Sequence, residues 1–323
     1  MNCQPDLRCN SVSPSPTISI VIVTYKSRDF IKACIDSIKE AARDIEHEII
    51  VVDNASGEEL SELFSTEFPD VFLVENDNNE GFARAVNRGA RYATGQYLTI
   101  LNPDTLFHRD GLRTLITFVE AQPRACVAGP RTVDSTGKTT FSCRSLPHLG
   151  NIAKYPVSVI CRGKGLKRPW KYLLDMWVPD RTVDVTRYDG YLQGSCLFMT
   201  LDFFRSMGMF DERYFLYAED ADFGLRVKKA GYPCFLVNEA EVIHFGKHAA
   251  AKDSRTARYF VETYVQYVNK NLNSIHGCAV KFSLFVLVFG WIMRACVLRD
   301  EGKRKALTQA LSSFLPSSLR HVK

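Results

Sequence analysis

The chain has 323 residues, 46% of them hydrophobic, enough to bury one large core or two modest ones and to exclude global disorder. Its formal net charge of +5 lies wholly in the tail: from Arg294 onward seven Lys/Arg stand against two Asp/Glu, whereas the preceding stretch holds 34 of each sign. A neutral body excludes nucleic acid as the main partner, because binding a phosphate backbone needs a basic face. A basic tail beside an apolar segment points instead to an anionic membrane surface.

Residues 1–16 are polar and rich in Pro and Ser, without the apolar stretch of a signal peptide. They are predicted to form a disordered leader, and the chain is expected in the cytoplasm. The β-branched run ISIVIV (18–23) predicts a strand buried on both faces. Phe30, Ile31, Cys34, Ile35, Ile38 and Ala42 recur at helical spacing, so a helix is expected from Asp29 to Arg43. The alternation repeats: strand 48–53, helix 57–66, strand 71–75, helix 82–93, strand 97–102, helix 110–121. That rhythm implies parallel βαβ units in an open α/β sheet whose ligands bind at the carboxyl ends of the strands. Those ends read Thr24-Tyr25, Asp53-Asn54 and Asn102-Pro103-Asp104.

Beyond residue 125 the rhythm breaks. Short strands are expected in 126–145, an irregular stretch in 146–187, a strand at 191–200 and a short helix near 201–207. A helix over 219–230 ends at Gly231, a good C-terminal cap. Strands at 234–237 and 241–245, a helix at 254–271 and an apolar helix at 278–298 complete the reading. The ten cysteines form no C-x-x-C pair and no Cys/His cluster at zinc spacing, so they read as reduced core hydrophobes.

Four segments in order carry a resemblance: IVIVTYKS with IIVVDNAS, NEGFARAVNRGARYATG (79–95), LNPDT (101–105) and FDERYFLYAEDADFGLRVKKAGY (210–232). From about Thr17 to His248 the chain resembles the family 2 glycosyltransferases of the GT-A fold class. It is most similar to the rhamnosyltransferase-like branch that builds bacterial surface polysaccharides. The resemblance implies a catalytic region over 17–250, with a nucleotide-binding half (17–125) and an acceptor-binding half (126–250), followed by a helical region (251–323). It implies an inverting transfer from a nucleotide-diphosphate donor, dTDP-rhamnose or a UDP-sugar, to a saccharide or lipid-linked saccharide.

The residue roles follow from the same resemblance. Thr24, Tyr25, Asp53, Asn54 and Asn102 would line the nucleotide. Gly81 and Arg84 open a helix whose free N–H groups would face the diphosphate. Asp104 stands in the place of the D-x-D metal motif, with Asn102 where the fuller motif has its first Asp, and would hold Mg²⁺ or Mn²⁺. His244 would complete the metal shell, with His248 as a rival. Asp220 matches the catalytic base, and Glu219 and Asp222 would hold acceptor hydroxyls or orient neighbouring groups. Gln193-Gly194-Ser195 would line the same pocket.

Rival classes fit less well. A sugar-nucleotide-forming nucleotidyltransferase carries a Gly-rich loop after the first strand, where this chain has TYKSRDF. A processive synthase needs several long apolar spans, and only one apolar segment is found. A non-catalytic scaffold of the same fold would not require Asp53, Asp104 and Asp220, all of which are present. The apolar segment itself admits three readings: peripheral docking at the cytoplasmic face of the inner membrane, a buried helix, or a span.

Overall fold

The computed structural model describes residues 17–140, 142–144, 190–246, 255–297 and 299–314. The expected leader, the irregular stretch 146–187 and His248 lie outside them. Strands β1 (Ile18–Thr24), β2 (His47–Asp53), β3 (Phe72–Glu75) and β4 (Tyr97–Leu101) alternate with helices α1 (Arg28–Ala41), α2 (Leu60–Glu67) and α3 (Phe82–Tyr92). The four strands are parallel, with β1 between β2 and β4.

β1 is buried along its whole length because each face has its own partner. Ile18, Ile20 and Ile22 join Ile31, Cys34, Ile35 and Ile38 of α1 in one core layer. Val21 and Val23 join Ala83, Ala85 and Val86 of α3 in the other, as period-two alternation dictates. The small residues of α3 let it settle close: a Cβ on Gly89 would lie 2.5 Å from Val21 Cγ1.

The chain continues through β5 (Thr105–Phe107), α4 (Gly111–Glu120), β6 (Val127–Val133), β7 (Cys143–Arg144), β8 (Tyr191–Leu192), β9 (Cys196–Thr200), α5 (Leu201–Ser206), α6 (Glu219–Lys229) and β10 (Cys234–His244). The eight-stranded sheet has the order β3-β2-β1-β4-β9-β6-β10-β5, and β7 pairs with β8 in a separate ribbon. The two expected halves thus share one sheet, since β9 runs antiparallel to β4 and pairs β6 on its other side. The strand expected at 191–200 is broken at 193–195, and the two strands expected at 234–237 and 241–245 are one strand with a register shift between Val237 and Glu241.

Helices α7 (Thr256–Asn271), α8 (Ser274–Val297) and α9 (Glu301–Ala310), with a closing 3₁₀ turn (Leu311–Phe314), pack against α6 and β8. Tyr264, Tyr267 and Val268 of α7 meet Ala221 and Tyr191, while Val280, Leu284, Val288 and Trp291 of α8 extend the same cluster.

Candidate active site

The carboxyl ends of β1, β2 and β4, the start of β9 and the end of β10 meet at one edge of the sheet. Asp53 ends β2, is 7% exposed and accepts the Ser56 N–H at 3.2 Å. Burial raises its pKa against the opposing pull of Ser56.

Asn54 has a different role from the expected one. Its amide donates to Asn79 Oδ1 (2.9 Å) and Gly81 O (3.2 Å) and accepts from Asn76 (2.9 Å) and the Glu80 N–H (3.0 Å). With its hydrogen-bonding capacity spent, it shapes the 76–81 loop rather than contacting a nucleotide. Thr24 is fully buried, its hydroxyl has no hydrogen-bond partner among the described residues, and its carbonyl accepts the Asn54 N–H. At this strand end Tyr25 is the half-buried residue, with the Lys26 ammonium 5.5 Å from its ring centre.

The start of α3 also departs from expectation. Phe82 N–H donates to Phe215 O at 2.7 Å and Gly81 N–H to Asn79 Oδ1 at 3.0 Å. Arg84 faces Glu212 at 3.6 Å. The Phe82 N–H and Arg84 thus bind the 210–217 loop of the protein itself, and the Gly81 N–H closes its own loop. Gly81 is required there because its φ is +88° and a Cβ would stand 2.4 Å from Phe215 O.

The LNPDT turn sits at the centre of the edge. Asn102 N–H donates to Ser195 O at 3.0 Å. Asp104 Oδ1 lies 3.2 Å from His244 Nε2, and its Oδ2 accepts the Gly246 N–H at 3.0 Å. β5, which the sequence did not reveal, makes this meeting by pairing Thr105 with His244. Burial pushes the Asp104 carboxyl up, but the hydrogen bond and charge of His244 and the Gly246 N–H outweigh it, so the net pKa is lowered. Among the described residues no three His, Cys, Asp or Glu side chains converge. Two inward donors, a carboxylate and an imidazole, suit a divalent ion that takes its remaining ligands from phosphate and water.

On the other side of the 193–195 bend lie the acids of α6. Gly194 N–H donates to Asp220 Oδ2 at 3.0 Å, and Ala221 N–H to Oδ1 at 2.8 Å. Glu219 is 5% exposed and its Oε2 has no hydrogen-bond partner. Burial, then the charge of Asp220, pushes Glu219 well above the usual carboxylate range. Burial raises Asp220 too, but the Gly194 N–H and the charge of Arg144 resist it. Tyr217 (φ 73°) and Ala218 (φ 67°) precede the pair in left-handed backbone, a strain of about 1–3 kcal/mol per residue that concentrates at functional sites.

Asp222 does not share this pocket. It is fully buried, and its carboxylate receives Tyr214 Oη (3.2 Å), Arg226 Nε (3.0 Å), Lys270 Nζ (2.7 Å) and Asn271 Nδ2 (3.0 Å). No lone pair is left for an acceptor hydroxyl, and Asp222 instead ties α6 to α7. Arg144, Glu212 and Lys270 were missed in the sequence because their partners lie far along the chain.

A curled, mostly parallel eight-stranded sheet with flanking helices is the GT-A fold. Residues 19–171 match glycosyl transferase family 2, so the chain carries a domain of that family. It is 27% identical over 261 residues to the N-acetylglucosaminyl-diphospho-decaprenol L-rhamnosyltransferase of Mycobacterium tuberculosis, covering 77% of this chain and 83% of the relative. It is likewise 27% identical over 241 residues to the rhamnosyltransferase WbbL of Escherichia coli, covering 72% and 84%. The fold is similar to that of the mannosyltransferase PcManGT from Pyrobaculum calidifontis in complex with GDP-Man and Mn²⁺, with a TM-score of 0.53 at 16% identity, covering 96% and 89% of the two chains.

Proposed function

We propose that this glycosyltransferase moves a sugar from dTDP-rhamnose or a UDP-sugar onto a saccharide or lipid-linked saccharide, with inversion at the anomeric carbon. The observation that carries the reading is the 3.0 Å hydrogen bond from Gly194 to Asp220, one residue from the Ser195 carbonyl that holds Asn102. It sets the buried Asp220 carboxylate and the LNPDT turn on opposite sides of one bend. Rhamnosyltransferase relatives favour rhamnose as the sugar, and the name of the mycobacterial relative carries a decaprenol-linked diphosphate acceptor.

In this reading Tyr25, Asp53 and Asn102 bind the nucleotide, Asp53 through its carboxylate. Asp104 and His244 would hold Mg²⁺ or Mn²⁺, which when bound supplies Lewis-acid stabilisation of the leaving diphosphate. Asp220 takes the proton from the acceptor hydroxyl as it attacks, an effect worth roughly 10²–10⁴-fold. Glu219 holds a neighbouring acceptor hydroxyl. The bend at Gly194 keeps Asp220 fixed in line with the donor.

The reading places the enzyme at the cytoplasmic face of the inner membrane. Helix α8 is apolar and long enough to cross a bilayer over Ile275–Met293. One face, through Val280, Leu284, Val288 and Trp291, packs on the domain, while Phe282 (71% exposed), Phe285, Val286, Phe289 and Met293 face outward. A helix committed on one side and apolar on the other, followed by exposed Arg299, Arg304 and Lys305, favours docking on anionic lipid over spanning.

The test offers the purified chain UDP-, dTDP- and GDP-sugars with Mn²⁺ and a lipid-linked saccharide, and follows nucleoside diphosphate release and the anomeric configuration of the product. Release from dTDP-rhamnose or a UDP-sugar with inverted product supports the reading. Retained configuration or a GDP-sugar preference overturns the corresponding part.

A further inference from the structure

Arg144 lies within electrostatic reach of the acid pair and forms no ion pair with another described residue. It ends β7, opposite Tyr191 of β8. β8 lies directly on α6, for a Cβ on Gly224 would meet Tyr191 Cβ at 2.4 Å. The chain leaving β8 is then pinned twice: Gln193 N–H donates to Ser142 O at 3.0 Å, and Gly194 N–H to Asp220 Oδ2 at 3.0 Å. The ribbon is thereby clamped between the bend and the first turn of α6. The charge of Arg144 bears on Asp220, Tyr191 and Tyr217. Its Nε is buried and lacks a hydrogen-bond partner among the described residues.

We propose that Arg144 is a positioning residue of the active site: its guanidinium keeps the single negative charge of the Glu219–Asp220 pair on Asp220 and leaves Glu219 protonated. Two neighbouring carboxyls in a buried site resist ionising together, and their surroundings decide which one loses its proton. The surroundings here are unequal. Asp220 receives two backbone N–H groups, and facing it are Arg144 from β7, Tyr191 from β8, Tyr267 from α7 and Glu219 on its own helix. Glu219 faces Tyr217 and Asp220 and has an oxygen with no donor. The tyrosines are neutral, so among the described residues Arg144 is the cation that separates the two acids. Acting through space rather than by a direct ion pair, it leaves the lone pairs of Asp220 open for the proton that a base must collect.

The proposal rests on Asp220 as the base, yet its test needs no sugar, so either can fail alone. The full chain, labelled with ¹³C at Asp and Glu carboxyls, is titrated by NMR, with Asp220→Asn and Glu219→Gln assigning the two resonances. In the wild type Asp220 ionises at lower pH than Glu219. Arg144→Gln moves the Asp220 midpoint up toward that of Glu219, and Arg144→Lys restores the order. Where Arg144→Gln does not fold by circular dichroism, Arg144→Met carries the same test. Asp220→Asn adds an independent one, since removing the neighbouring charge must lower the Glu219 midpoint. An unmoved Asp220 midpoint in a folded, charge-removed variant overturns the proposal, as does an unmoved Glu219 midpoint in Asp220→Asn.

Discussion

The Asn102 N–H and the Ser195 carbonyl meet at 3.0 Å, and this one bond holds the turn that carries Asp104 against the bend that positions Asp220. Asp104 of the third sequence motif and Asp220 of the fourth, far apart in the chain, are thus held through a single structural joint.

The paired donors of Asp104 and His244 yield a direct prediction. Mn²⁺ added with UDP, dTDP or GDP in turn raises the unfolding temperature of the wild type with at least one of them, because a ligand that binds only the folded state stabilises it. Asp104→Ala abolishes that increment, and His244→Ala reduces it. An Asp104→Ala protein that keeps the full increment in differential scanning fluorimetry contradicts the assignment.

Asp220 and Asp222 separate function from stability. Asp222→Asn weakens a buried carboxylate contacted by Lys270, Arg226, Tyr214 and Asn271. Lys270→Met, which takes away one partner of that buried acid, costs about 3 kcal/mol, the lower end for a broken buried pair, because Arg226 remains. Urea unfolding of both variants shows lower midpoints, while turnover per folded molecule is retained. Wild-type midpoints would deny the hub its structural role.

Glu219 sets a pH dependence with a definite sign. Its folded pKa is raised well above the ordinary 4.5, so its contribution is fully present below that ordinary value and is lost as pH rises toward the folded value. Glu219→Gln has no such loss. Relative to wild type, the variant therefore gains stability between pH 4.5 and neutrality. Thermal unfolding at pH 4 and pH 7 checks this, and a variant whose difference from wild type is the same at both pH values would contradict it.

The outward face of α8 predicts membrane binding. Full-length protein sediments with phosphatidylglycerol vesicles, less so at high salt and less with phosphatidylcholine. Phe282→Ser with Phe289→Ser binds at least tenfold more weakly, since burying each phenylalanine is worth about 1.5–3 kcal/mol. Equal binding by the variant, or none by the wild type, removes the membrane from the account.

The parallel half was legible because β1, β2 and β4 are apolar runs largely buried on both faces and its helices carry apolar residues at helical spacing. The short β5 was not, since three residues, Thr105–Phe107, owe their strand state to β10 arriving from far along the chain. Asp222 was misread for a reason the sequence could have supplied: two residues along a helix turn a side chain by about 200°, so Asp220 and Asp222 point to opposite sides of α6. Arg144 and Lys270 carry no local signal at all, as their meaning comes from the acids they face.

The most direct measurement compares wild type and Asp220→Asn with the nucleotide sugar that the donor panel identifies. Donor affinity is read by calorimetry and turnover by nucleoside diphosphate release. The account predicts nearly unchanged donor affinity and a turnover at least 10²-fold lower, because only proton removal is lost. An Asp220→Asn enzyme that turns over at the wild-type rate would show that Asp220 is not the base.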